Sequence, residues 1–295
     1  MTDLRQADVV HADGEPTVPR RYDVQKGRIQ LTWMLVGLAM ATALQACGAA
    51  SDAEPSTSPS SVVPHRTPTV LIDFEGDAPG GEASAFPVGG KLGGNAVVEA
   101  VDGGQVRVQA GKAGGQAVRF PAYDASRRSG AAVLVLQPAA GDTRLDPGDM
   151  DFMFGADFTL DRVSEGAGDD NGNNLVQRGL AADPTQFKLQ IEHDRASCRV
   201  SGSQGEVVVK SRSEVEPDRW YTVTCARKAG EITLTLQLEE EPVERVSSQG
   251  ATGAISYPEP IPLVVGGKVS PAGQVVSGNS DQFNGVVDNV FLDIG

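Results

Sequence analysis

From Thr69 onward the chain is a succession of short β-rich runs cut by clusters of Gly, Pro, Asp and Asn. Turn signals at intervals of about ten residues leave little room for long helices and favour an all-β sandwich or jelly roll. The clearest run is Glu231–Leu238. Ile232, Leu234, Leu236 and Leu238 share one face, and Thr233, Thr235 and Gln237 share the other. A period of two buries one face of a strand and wets the other. Lys228-Ala229-Gly230, just before it, is a tight-turn sequence that joins it to Trp220–Arg227 as a hairpin. Strands are also expected at Val70–Phe74, Ala96–Ala100, Gln105–Gln109, Ala117–Phe120, Ala131–Gln137, Phe152–Leu160 and Leu175–Arg178. The series continues at Phe187–His193, Ser197–Ser201, Glu206–Ser211, Pro262–Gly266 and Gln282–Leu292. No window of period 3.6 follows residue 47. Without internal self-similarity or a second linker, residues 69–295 are expected to form one domain.

The segments before it follow different rules. Residues 29–46 (IQLTWMLVGLAMATALQA) carry no charge, follow Arg20, Arg21, Lys26 and Arg28, and end in small residues. That is the form of a secretory signal. Its exit, Leu44-Gln45-Ala46-Cys47, resembles the lipobox of bacterial lipoproteins, although Gln45 replaces the usual small or apolar residue. The resemblance implies cleavage before Cys47, lipidation of its thiol and a membrane-anchored lipoprotein on the extracytoplasmic face. The alternative is an uncleaved signal anchor, because 18 residues can just span a bilayer. The extension 1–28 carries five acids and five bases, so the imbalance of the whole chain, −14, belongs to the part after Cys47. Residues 47–68 are rich in Ser, Pro, Ala and Thr and cannot bury enough apolar surface to offset ordering entropy. They read as a tether, and His65 lies within it.

The chain has three cysteines. If Cys47 carries lipid, Cys198 and Cys225 remain, both on expected strands of one domain bound for an oxidising compartment. They are expected to form a disulfide, stabilising by roughly 3–4 kcal/mol, with two buried free thiols as the alternative. The acidic balance argues against nucleic acid, because phosphate neutralisation needs clustered Lys and Arg. Three His and three Cys exclude multi-zinc and iron–sulfur proteins on counting. There is no P-loop, dinucleotide fingerprint or CxxC.

The pieces GADFTL (155–160), NLVQRG (174–179), FKLQIE (187–192), SCRVSG (197–202) and PDRWYTVTCARKAGEITLTL (217–236) resemble, in order, a laminin-G-like (concanavalin A-like) jelly roll. LIDFEG (71–76), GGQAVRFP (114–121), PLVVGG (262–267) and DQFNGVVDNVFL (281–292) resemble its opening and closing strands. The resemblance implies that Val70–Phe74 pairs with Val286–Leu292, and that Trp220 packs inward.

Hydrolases of this fold carry Glu-x-Asp-x-x-Glu on one strand face, because retaining hydrolysis needs two carboxylates about 5 Å apart. That motif is absent. Asp73, Glu75 and Asp77 alternate, but in the opening strand and its turn, where edge solvation or turn hydrogen bonding is expected. His193 is expected to be an exposed strand-end residue. The reading is therefore not an enzyme but a recognition lipoprotein binding an extracellular polysaccharide or glycoprotein. The alternatives are an envelope interaction module without a sugar site and a divergent hydrolase. Tyr123 and Tyr257 lie in loop contexts where they could stack on a sugar. No cofactor or metal ligand is assigned. Ca²⁺ is the one candidate, because Asp169–Asn174 and Asn279–Asn284 with Asp281 offer carboxylate and amide oxygens. The first segment lacks an EF-hand Glu, since Leu180 or Ala181 falls at the twelfth position. Turn chemistry explains such residues equally well.

Overall fold

The computed structural model describes residues 66–76, 80–123, 130–164, 172–276 and 279–295. The extension 1–28, the apolar run 29–46 and Cys47 lie outside the described residues. Among those described, no helix is long and apolar enough to cross a membrane.

Among the described residues sixteen strands follow one another: β1 Val70–Ile72, β2 Ala85–Pro87, β3 Asn95–Val101, β4 Arg107–Ala110, β5 Gln116–Arg119, β6 Ala131–Leu136, β7 Phe152–Leu160 and β8 Asn173–Arg178. Then come β9 Gln186–Glu192, β10 Arg195–Gly202, β11 Gly205–Lys210, β12 Tyr221–Lys228, β13 Glu231–Leu238, β14 Glu244–Gln249, β15 Leu263–Val265 and β16 Gly285–Ile294. They make two eight-stranded antiparallel sheets. Sheet 1 runs β14-β13-β12-β7-β16-β5-β4, with β1 also on β16; sheet 2 runs β11-β10-β9-β8-β15-β6-β3-β2. This is an all-β jelly-roll sandwich, the fold class the strand spacing implied.

Period-two patterning fixes which faces meet. In β13, Ile232, Leu234 and Leu236 are buried, and Thr233 and Thr235 are not. Ala229 (φ 49) and Gly230 (φ 80) form the turn into it from β12, two successive left-handed residues as a tight hairpin requires. In β9, Phe187, Leu189 and Ile191 face the core and pair with Val200, Cys198 and Ala196 of β10. A cluster of Phe152, Phe154 and Phe187 packs between the sheets, with ring centroids 4.9–5.8 Å apart. Cys198 of β10 and Cys225 of β12, both fully buried, form a disulfide that ties sheet 2 to sheet 1, with Cα atoms 5.7 Å apart. Opening and closing strands pair as the resemblance implied, Val70 opposite Leu292 and Ile72 opposite Val290.

Three features depart from the sequence reading. Trp220 is only half-buried, and Tyr221 takes the core position instead, stacked on Phe158 at 5.6 Å. Strand parity explains this: Tyr221, Val223 and Cys225 share a face, so Trp220 falls out of phase with the core. Tyr257 is buried rather than free to stack. Its ring lies 4.3 Å from the Arg178 guanidinium, and its hydroxyl donates to the Arg178 carbonyl at 3.0 Å. Strands β2 and β14 lie in stretches where no strand is expected; each is an edge. Inside the sandwich Arg178 is almost fully buried. It pairs with Asp146 at 2.5 Å and donates to the carbonyls of Leu145 and Ile261.

Candidate functional site

The outward residues of sheet 2 form two unlike halves. On β6 and β15 they are Val133, Val135 and Val264, covered by Val269 and Val275 of the following loop. On β8, β9 and β10 they are polar, and their cross-strand partners follow from the register. Gln177 lies opposite Lys188, and Lys188 opposite Arg199. Asn174 lies opposite Gln190, and Gln190 opposite Ser197. Ser201 lies opposite Gln186. Each of these residues alternates with a core residue, so the floor is a direct product of period-two patterning in FKLQIE and SCRVSG. Its signal was present in the sequence as polar residues between buried ones, but which strands lie side by side was not.

Amides dominate the floor. Gln177 and Gln186, both buried, donate to the carbonyl of Gly179, at 2.7 and 3.0 Å, which fixes their orientation. Asn174 donates to Gln177 at 2.6 Å. Charged pairs frame the floor: Arg199 with Glu206 at 2.6 Å, Lys210 with Glu192 at 2.6 Å, and Lys268 with Asp281 at 3.0 Å. The Lys210 ammonium holds the Glu192 carboxyl below the usual range. Lys188 stands in the middle, half-buried, and burial lowers its pKa.

The two segments considered for Ca²⁺ meet at one end of this floor. Asp169, Asp170 and Asn171 lie outside the described residues. Asn174 donates its backbone N–H to the Asp281 carbonyl at 3.1 Å and its side-chain amide to the Asp281 carboxylate at 3.3 Å. The Lys268 ammonium donates to Asn279 at 2.6 Å and pairs with Asp281. A lysine cation thus sits among the oxygens considered for Ca²⁺. Asn173 and Asn284 are structural: Asn173 donates to the Ser164 carbonyl and accepts the Asn284 N–H at 2.9 Å. No group of three or more potential metal-ligating His, Cys, Asp or Glu occurs among the described residues.

The remaining candidates lie apart from the floor. Asp73 accepts the Glu75 N–H at 3.3 Å, and Glu75 accepts the Gln116 N–H at 2.9 Å. Turn hydrogen bonding is therefore their role in the fold; Asp77 is outside the described residues. His193 is exposed at φ 51 in the β9–β10 turn. Tyr123 lines an open cleft of about 580 Å³ with Gln105, Arg107 and Arg119. The arginines there are engaged, Arg107 with Gln105 at 2.6 Å and Arg119 with Asp161 at 2.9 Å.

One carboxylate pair escaped the sequence reading. Asp157 of β7 and Asp288 of β16 are register partners on the outer face of sheet 1. Asp157 binds the Lys112 ammonium at 3.0 Å, the Thr222 hydroxyl and the Asn289 amide at 3.0 Å. Asp288 accepts the backbone N–H groups of Lys112 (3.2 Å) and Asn289 (2.8 Å). Burial raises the Asp288 pKa to about 6, and the charges of Asp157 and Glu75 add to the rise. Every oxygen of the pair has an internal donor, so the arrangement serves the fold rather than presenting an acid and a nucleophile.

Residues 175–294 match the family model described as the Laminin G domain. No curated protein matches the chain. Among solved structures, domain 4 of AbnA, an extracellular arabinanase from Geobacillus stearothermophilus solved with arabinotriose, is similar at 11% identity and a TM-score of 0.49. The match covers 78% of this chain and 93% of that one. The binding domain of Paraclostridial Mosquitocidal Protein 1 is similar at 12% identity and a TM-score of 0.49, over 77% of this chain and 48% of that one. The LG1-3 region of the laminin alpha2 chain is similar at 10% identity and a TM-score of 0.39, over 49% and 27%. The chain thus spans half or less of the two toxin and laminin structures. With the family model falling on β8 to β16, the sandwich carries a laminin-G-like jelly-roll domain.

Proposed function

We propose that the chain is an exported, membrane-anchored recognition lipoprotein. Residues 29–46 direct export, Cys47 carries the lipid, residues 47–68 space the domain from the membrane, and the 69–295 sandwich binds an extracellular polysaccharide or glycoprotein without catalysis. The observation that carries this reading is the amide-rich floor of β8, β9 and β10. The amides lie buried beneath it and hold it rigid, Lys188, Arg199 and Ser201 are its partly exposed polar groups, and the carboxylates at its margin, Glu192 and Asp281, are each taken by a lysine. The cross-sheet disulfide supports an oxidising destination.

A second reading, an interaction module of the envelope without a sugar site, draws on one feature: no aromatic ring is among the described floor residues named above. The test is an array of bacterial and host glycans probed with the full chain in detergent, with Ca²⁺ and again with chelator. A specific hit supports recognition. Because Lys268 occupies the Asp281–Asn279 oxygens, the hit is expected to survive chelation. No hit under either condition overturns the glycan reading in favour of protein partners. Intact mass of the mature chain tests the anchor: an acylated Cys47 at the N-terminus supports it, and retained residues 29–46 refute it.

A further inference from the structure

Lys268 touches two different side chains at once. Its ammonium donates to the amide oxygen Oδ1 of Asn279 at 2.6 Å and pairs with Oδ2 of Asp281 at 3.0 Å. The side chains of Lys268 and Asp281 are 18% and 11% exposed, so bulk water has little access to either. The other carboxylate oxygen, Asp281 Oδ1, is buried and accepts no hydrogen bond among the described residues. The backbone holds the three residues together. The Lys268 N–H donates to the carbonyl of Ser280, the residue between Asn279 and Asp281, at 2.8 Å.

These are the parts of an amide exchange: an amine, an amide carbonyl, and a carboxylate in contact with the amine. A nitrogen hydrogen-bonded to an amide oxygen stands about 3–3.5 Å from the amide carbon, a near-attack separation. Other lysines with carboxylate partners lack the amide carbonyl. Lys112 faces Asp157 and Thr222, and Lys210 faces Glu192. A carboxylate anion resists a nucleophile, and a hydroxyl offers no carbonyl carbon.

We propose that Lys268 and Asn279 join through an intramolecular isopeptide bond, with Asp281 as the proton carrier. The Lys268 ammonium gives a proton to the Asp281 carboxylate, and the freed amine attacks Cγ of Asn279. Two of the three ammonium protons pass through Asp281 to Nδ2. The Cγ–Nδ2 bond breaks as the Nζ–Cγ bond forms, and the nitrogen departs as ammonium. Asp281 ends ionised, as it began, and no oxidant or cofactor enters the balance. Its unpartnered Oδ1 leaves one oxygen free to carry the proton while Oδ2 holds the amine. The bond closes the chain from 268 to 279 into a ring. It fixes the base of the loop whose Val269 and Val275 cover Val133, Val135 and Val264, so that apolar strip stays covered whatever the sheet binds.

The experiment is a tryptic digest of the full chain, folded in detergent and then denatured and reduced. An unlinked chain is cut after Lys268 and releases 269–295, which contains no further Lys or Arg. The expected product is instead one peptide, 246–295, uncut at Lys268 and about 17 Da lighter than its sequence, the mass of the ammonia lost. Fragmentation is expected to place the link between Lys268 and Asn279. Asn279→Ala should restore both the cut and the full mass, and Asp281→Asn should slow the bond at least tenfold. The wild-type digest decides by itself, so a variant that fails to fold does not spare the proposal. Release of 269–295 from wild type overturns it. A light, uncut peptide that persists in Asn279→Ala overturns it too, because the ammonia then comes from another amide. A bond that forms in Asp281→Asn at the wild-type rate refutes Asp281 as the proton carrier.

Discussion

Replacing Asp288 by Asn should make the domain more stable at neutral pH and leave it unchanged in acid. Asp288 is 2% exposed, and its register partner is another aspartate. The Lys112 ammonium that could offset it is engaged by Asp157 and Thr222. Its folded pKa is raised from 3.8 to about 6. A raised carboxylate pKa means that the ionised form is the disfavoured one. The cost is absent below the unfolded value, grows as pH climbs through the window between the two, and is complete above the folded value. The size of the shift corresponds to about 3 kcal/mol at pH 8. Asparagine resembles the protonated acid in shape and charge, so Asp288→Asn should recover about 2–3 kcal/mol at pH 8. For a domain of this size that is a rise in Tm of about 5–10 °C. Thermal melts followed by circular dichroism, with both proteins at pH 8 and pH 4, give the answer, and the other titrating groups cancel in the comparison. A variant that melts lower at pH 8 would show that the two backbone N–H donors favour the carboxylate more than burial disfavours it. A gain of equal size at both pH values would show that ionisation is not the source.

The other expectations concern the core. Replacing both Cys198 and Cys225 by Ala releases a closure of 27 residues and should cost about 3–4 kcal/mol in denaturant titration, with no further loss on adding reductant. A variant as stable as wild type would mean that the sheets hold each other without the bridge. Arg178→Met removes the one ion-pair partner that Asp146 has among the described residues and should cost about 3–5 kcal/mol, whereas the joint change with Asp146→Leu should recover part of the loss. Equal losses for the single and double variants would refute the pairing as the reason for keeping an arginine in the core.

The sequence made the sandwich legible where one face of a strand is wet and the other dry. The alternation in β13, the turn at Ala229-Gly230 and the paired cysteines all carry their message within a few neighbouring residues. Edge strand β14, ERVSSQ, has neither face fully buried, so it has no period to read. The family resemblance implies an inward Trp220, whereas strand parity with Cys225 gives the core position to Tyr221. The floor was written in β8, β9 and β10 as ordinary polar alternation. Nothing local distinguishes Lys188, whose neighbours pair elsewhere, from a solvated lysine. Arg178 and Asp288 were illegible for a related reason. The partners that make one tolerable and the other strained lie far along the chain, at Asp146 and at Lys112 and Asp157.

Strand β16 gives this domain a particular order of assembly. One edge of it pairs with β7, and the other is shared by β5 at Val286–Val287 and β1 at Val290–Leu292. Arg66 and Asp293, 227 positions apart, hold the same seam together. The strand that three others require is therefore, among the sixteen in the described residues, the last to be synthesised. Until it arrives, sheet 1 is open at its centre, with the edges of β1, β5 and β7 exposed. Closing the centre of sheet 1 therefore waits on β16, in whatever order the other strands form. Slow closure of distant contacts is a hazard for a protein that folds where it is synthesised. For one that must be threaded through a membrane first, the same delay keeps it in a condition to be threaded.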